Sequence, residues 1–172
     1  MKIAYTMAQG RGDTDLLLHA LARSLGAQGY RTCGLVQTNT DRADSGPCDM
    51  DVQVLPDGAV LRISQALGRA SHGCRLDPNA LETAVAMVAV SLERGADMLI
   101  ISKFGKHEAE GRGFRSVIGD ALAMGIPVLV GLNTLNKPAF EEFCGGMAEE
   151  IAPDVIALAA WLRAATGESC AA

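Results

Sequence analysis

The chain has 172 residues, 49% of them hydrophobic and 20% charged, with a formal net charge of −5. That length bounds one domain able to bury its own core, and the acidic balance argues against a nucleic-acid partner, whose phosphates are neutralised by lysine and arginine. No run approaches the ~18 apolar residues of a membrane span. The five cysteines lack framework spacing, and the first residues lack a basic segment followed by an apolar run and cleavage site, which sets the expectation of a cytoplasmic chain with reduced thiols.

In chain order, Ile3 to Met7 reads as a strand and Thr14 to Gln28 as a helix with Leu17, Leu21 and Leu25 on one face. Arg31 to Gln37 reads as a second strand, and the polar stretch Thr38 to Pro47 as a surface loop. Met50 to Leu55 alternates, turns at Pro56-Asp57-Gly58 and returns over Ala59 to Ser64, a β-hairpin. Asp77-Pro78 starts a helix to about Arg94, because Asp suits the cap and Pro the first turn. Asp97 to Ser102 and Ile126 to Leu132 are apolar strands, with helices at Gly113 to Met124, Lys137 to Phe143 and Pro153 to Ala165.

Apolar strands alternating with helices predict an α/β three-layer sandwich on a mostly parallel sheet, with an inserted or edge β-hairpin. Residues 1–166 form a single domain in this reading and 167–172 a short tail. Ligands of such sheets bind beyond the carboxyl ends of the strands. Three loops qualify: Ala8 to Asp13, Lys103 to Arg112 and Asn133 to Lys137.

The first of these has the layout of a phosphate-binding loop, in which glycines and a helix N-terminus present backbone N–H groups to an anion. Set against G-x-x-x-x-G-K-[ST], Met7 stands for the first glycine, Gly12 for the second, Asp13 for the lysine and Thr14 for the hydroxyl residue. The loop is therefore degenerate, with an acid in place of its cation. The competing reading is a plain strand-to-helix turn in which Gly10 and Gly12 supply backbone freedom and Asp13 or Thr14 caps the helix.

After the strand Met98 to Ile101 comes Ser102-Lys103-Phe104-Gly105-Lys106-His107-Glu108. This segment resembles the strand end of the small cancer-related or thermophile nucleoside-triphosphatases, D-E-I-G-x-M-E. Gly105 and Glu108 match it, while Ser102 and Lys103 stand where the acids are. The chain is still more similar to an uncharacterised bacterial family with A-x-G-R-G-D-T-D, C-D-M-D and K-F-G-K-x-E-A-E-G-R-G, here Ala8 to Asp15, Cys48 to Asp51 and Lys103 to Gly113. Members of that family are often labelled ATP-binding components of molybdenum transport. The resemblance implies a P-loop NTPase-like domain with both nucleotide motifs degenerate, and ATP or GTP with Mg as the ligand.

The two departures are opposite in sign. The loop gains an acid at Asp13 while the strand end gains a base at Lys103, so the expectation is an Asp13–Lys103 pair on adjacent strands. Two unit charges ~4 Å apart interact by about 4 kcal/mol at an effective dielectric near 20, so such a pair would relieve an anion site. The candidate ligand-binding residues are Gly10, Arg11, Gly12, Asp13, Thr14, Asp15, Lys106 and Arg112, with Lys103 and Glu108 as the candidates for catalysis. Hydrolysis also needs a placed magnesium ion and an oriented water. Ser102 is no carboxylate, so weak or absent turnover is expected.

Cys48, His72 and Cys74 flank the hairpin and form a candidate soft-metal set, although their spacing fits no tight zinc pattern. His19 and His107 have no evident carboxylate partner, and Cys33 and Cys144 read as core. Three functions remain open at this stage. One is a nucleotide or phosphate binder; one is a non-enzymatic oxyanion (molybdate-like) or metal-handling protein; the third is a scaffold without a ligand.

Overall fold

The computed structural model describes residues 2–40, 48–65 and 75–167. The chain runs β1 (Ile3–Thr6), α1 (Asp13–Ala27), β2 (Thr32–Thr40), β3 (Asp49–Val54), β4 (Val60–Arg62), α2 (Pro78–Glu93) and β5 (Met98–Ile101). It continues α3 (Lys106–Ala109), α4 (Arg115–Ala123), β6 (Val128–Gly131), α5 (Lys137–Cys144), β7 (Glu149–Glu150) and α6 (Val155–Thr166). The helix signals act as chemistry requires: the Asp77 carboxylate accepts from the backbone N–H groups of Asn79 and Ala80 beside Pro78, and Asp154 accepts from Ala157.

The strands form one sheet in the order β4-β3-β2-β5-β6-β1-β7. From β2 to β7 the pairing is parallel, while β3 and β4 add to the β2 edge antiparallel. Odd positions of β1 (Ile3, Tyr5) pack with α2, α4 and α5, and even positions such as Ala4 pack with α1 and α6. Both faces of the central strands are thereby covered, which is why those strands read as unbroken apolar runs. The predicted three-layer sandwich is the observed one.

Four details differ from the sequence reading. Thr38–Thr40 continue β2 instead of opening a loop, because they pair with Asp49, Met50 and Asp51 of β3. The hairpin itself takes the edge place, one of the two the sequence left open, and is pinned by Arg62, whose guanidinium donates to Asp49 and Asp51. The segment after β5 contains the short helix α3, and the two exposed residues of β7 pair with β1, where the Tyr5 hydroxyl also donates to the Glu150 carboxylate at 2.8 Å. Finally, β1 and β5 are not adjacent: β6 lies between them. Strand order is a property of tertiary packing, and local sequence does not encode it. Among the described residues, no helix is long and apolar enough to cross a membrane.

Candidate functional site

The carboxyl end of the sheet carries a row of polar residues that close otherwise apolar strands. Thr6 ends β1, Gln37 and Asn39 lie at the end of β2, and Ser102 follows β5. Between Ser102 and Thr6 the row is interrupted by Gly131 of β6, and the gap is steric. A Cβ at Gly131 would stand 2.0 Å from the Ser102 carbonyl oxygen and 3.0 Å from Leu18 of α1. The bare glycine lets α1 settle close onto the sheet edge, which brings its first turn within reach of side chains from β2 and β5.

The loop that leads into that turn is shaped by its own residues. Gly12 adopts φ 85°, a left-handed conformation natural to glycine, and Asp13 begins the helix immediately after it. The Asp13 N–H donates to the Gly10 carbonyl at 3.3 Å, and the Thr14 hydroxyl accepts from the Ala8 N–H at 2.9 Å. Among the described residues, the N–H groups of Gly10, Arg11, Gly12, Thr14 and Asp15 have no protein acceptor. The loop thus holds uncommitted donors at a helix N-terminus, where an anion is favoured. Asp13 itself is exposed and folds back over the loop, since a Cβ on Gly10 would sit 2.0 Å from its Oδ2.

The expected Asp13–Lys103 pair does not form. Lys103 Nζ instead donates to Oδ2 of Asp15 at 3.2 Å, and Asn39 Nδ2 donates to the same oxygen at 3.2 Å. The physical reason is position. Asp15, the third residue of α1, turns inward to 2% exposure and meets the side chains of β2 and β5. Lys103 is held by its neighbours, because the Ser102 N–H donates to Leu35 O and the Phe104 N–H to Gly131 O. Phe104 is fully buried against Phe140 and Phe143. The lysine therefore extends from a fixed backbone with its side chain 46% exposed.

The pair belongs to a chain of polar contacts. The Gln37 N–H donates to Ser102 Oγ at 2.8 Å, and Gln37 Nε2 donates to Asn39 Oδ1 at 2.9 Å before Asn39 reaches Asp15. Burial raises the Asp15 carboxyl above its ordinary value, opposed by the Lys103 charge and by hydrogen bonds from Lys103 and Asn39. Its second oxygen, Oδ1, is buried without a partner, as is the Thr6 hydroxyl. Gln37, Asn39 and Thr6 were absent from the sequence-derived candidates. The signal that marks them is a polar residue closing an apolar strand at the carboxyl edge.

Glu108 is also buried, at 4% exposure, but for a different use. Its Oε2 accepts from the Gly105 N–H at 2.9 Å and its Oε1 from the Phe114 N–H at 3.1 Å. Both oxygens hold backbone, tying the two ends of the 105–114 segment together. Lys106 and Arg112 are directed to Glu110, Lys106 at 3.6 Å and Arg112 in a close ion pair. Neither makes a bond to the loop of residues 8–15. Arg11, within that loop, is exposed.

Of the candidate metal set, His72 and Cys74 lie outside the described residues. The Cys48 carbonyl accepts from Arg75 at 2.8 Å, and no cluster of three or more potential metal ligands occurs among the described residues. Cys33 and Cys144 are in the core, where burial pushes the Cys144 thiol up to about 11. A cleft of about 860 Å3 lined by His19, Arg23, Tyr30, Arg31, Thr32 and Arg94 opens at the amino end of β2. That is the wrong end of a parallel sheet for its ligand.

The sheet order and the helices on its two faces define a three-layer α/β sandwich on a mostly parallel sheet. Two solved structures share it: THEP1 from the hyperthermophile Aquifex aeolicus, with a TM-score of 0.64 and 18% identity over 90% of both chains, and a human cancer-related nucleoside triphosphatase, with a TM-score of 0.59 and 18% identity over 87% of both. At the level of sequence the chain belongs to the family described as Protein of unknown function (DUF2478), which it matches over residues 3–161. It is 33% identical over 164 residues to the Molybdenum import ATP-binding protein ModC 2 of Bradyrhizobium diazoefficiens, covering 94% of this chain and 18% of that protein. The chain thus spans under a fifth of the length of that curated relative.

Proposed function

We propose that this protein binds a nucleotide or a related phosphate-bearing small anion at residues 8–15, and that it turns over nucleoside triphosphates weakly or not at all. The observation that carries the reading is the set of unfilled N–H donors from Gly10 to Asp15 at the start of α1, with the Lys103 ammonium beside them. The fold supports it, and so does a curated relative whose name includes ATP binding. Asp13 opposes affinity, because its carboxylate rests over the loop that would receive the anion. Weak turnover follows from Glu108, whose two oxygens are both held by backbone and so are not available to orient water.

Calorimetric titration of the purified chain with ADP, ATP, inorganic phosphate and molybdate tests this reading. Asp13→Asn should tighten phosphate and nucleotide binding by roughly tenfold, since one like charge leaves the site. Molybdate binding with no response to nucleotide, or an Asp13→Asn variant that gains nothing, would overturn it.

A further inference from the structure

A nucleotide on this fold is expected to arrive with magnesium, and the residues here do not suit that ion. The Ser102 hydroxyl accepts from the Gln37 N–H and the Thr14 hydroxyl from the Ala8 N–H. Glu108 is spent on Gly105 and Phe114. Of the two carboxylates at the loop, Asp13 is exposed and lies over Gly10, in the space an anion would take, and Asp15 is buried with an ammonium already 3.2 Å from its Oδ2. A divalent ion ligated there would face Lys103 at close range, and like charges that near repel strongly even when partly solvated.

Resting on the phosphate-binding reading above, we propose that Lys103, anchored on Asp15, is the resident cation of the site and that the ligand binds free of magnesium. Three observations support this. The ammonium stands at the first turn of α1, next to the unfilled donors of the loop. Its side chain is 46% exposed, so protons beyond the one given to Asp15 remain available to an incoming oxygen. The Asp15 carboxylate is buried, and its Oδ2 accepts from both the Lys103 ammonium and the Asn39 amide, which fixes the direction in which the lysine extends. Where the resembled strand end has two acids to gather a divalent ion, this chain has Ser102 and Lys103, and the lysine brings a cation of its own.

The inference is separable from the function it builds on. ADP, ATP and inorganic pyrophosphate are titrated into the wild-type chain in EDTA and again in magnesium, and then into Lys103→Met and Lys103→Arg. The expected result is wild-type affinity in EDTA within about twofold of that in magnesium. Lys103→Met should lose about tenfold or more in EDTA through removal of one charge-assisted contact. Lys103→Arg, which keeps the charge, should recover most of it. Circular dichroism of each variant confirms that it is folded. Wild-type binding that appears only with magnesium, or a folded Lys103→Met variant with unchanged affinity, overturns the resident-cation proposal and leaves the phosphate site standing. No binding of any probe under either condition overturns the phosphate site itself and the proposal with it.

Discussion

Asp15 and Glu108 are both buried acids at the carboxyl edge of one sheet, yet their surroundings differ in kind. Glu108 gives each oxygen a backbone N–H, from Gly105 and Phe114, so its charge is compensated by groups that cannot leave. Asp15 crowds Lys103 and Asn39 onto one oxygen and leaves the other with none. The first arrangement is what stability selects, because satisfied charge-assisted bonds to backbone fix a loop. The second is costly to the fold, and such sites are where function is expected. Burial alone would have ranked the two carboxylates together; their partners separate them.

The largest expected effect is at Glu108. Glu108→Ala leaves two buried backbone donors without acceptors and should lower stability by about 4 kcal/mol, read from urea unfolding. A loss under about 1 kcal/mol would break the contrast from the structural side. Next comes Lys103→Met, which strands the Asp15 charge. The half-exposed lysine is partly replaced by water, so the loss should be near 2 kcal/mol, below that of a fully buried pair.

Asp15→Asn should act in the opposite direction and raise stability at neutral pH by about 1 kcal/mol, since it removes the buried charge while Lys103 swings to solvent. Its pH dependence sharpens the point. The folded carboxyl of Asp15 is raised above its unfolded value, so its favourable contribution is complete below the unfolded value and is lost as pH rises through the folded one. Urea midpoints should therefore show the advantage of Asp15→Asn over wild type growing as pH rises from about 4, then levelling off. An advantage that shrinks with pH would mean that Asp15 gains from its charge.

Much of the architecture could be read from the residues alone. Apolar strands such as Met98 to Ile101, separated by helices that begin at Asp77-Pro78 and end at glycine, leave few alternatives to a parallel sandwich. The strand β7 was not legible, because two exposed glutamates carry no apolar pattern to mark their pairing with β1. The loop was legible from its glycines. The partner of Lys103 was not, since Asp13 and Asp15 are equally acidic in sequence. Only the helix rotation, with Gly131 letting α1 approach the sheet, sends Asp15 inward and Asp13 out.

The most direct measurement is an amide nitrogen–proton correlation spectrum of the folded chain, titrated with ADP in EDTA. The account predicts that the largest shifts fall on the N–H groups of Gly10 to Asp15 and on Lys103. Shifts centred instead on His19, Arg23 and Arg94, at the other end of the sheet, would contradict it, as would a spectrum that ADP leaves unchanged.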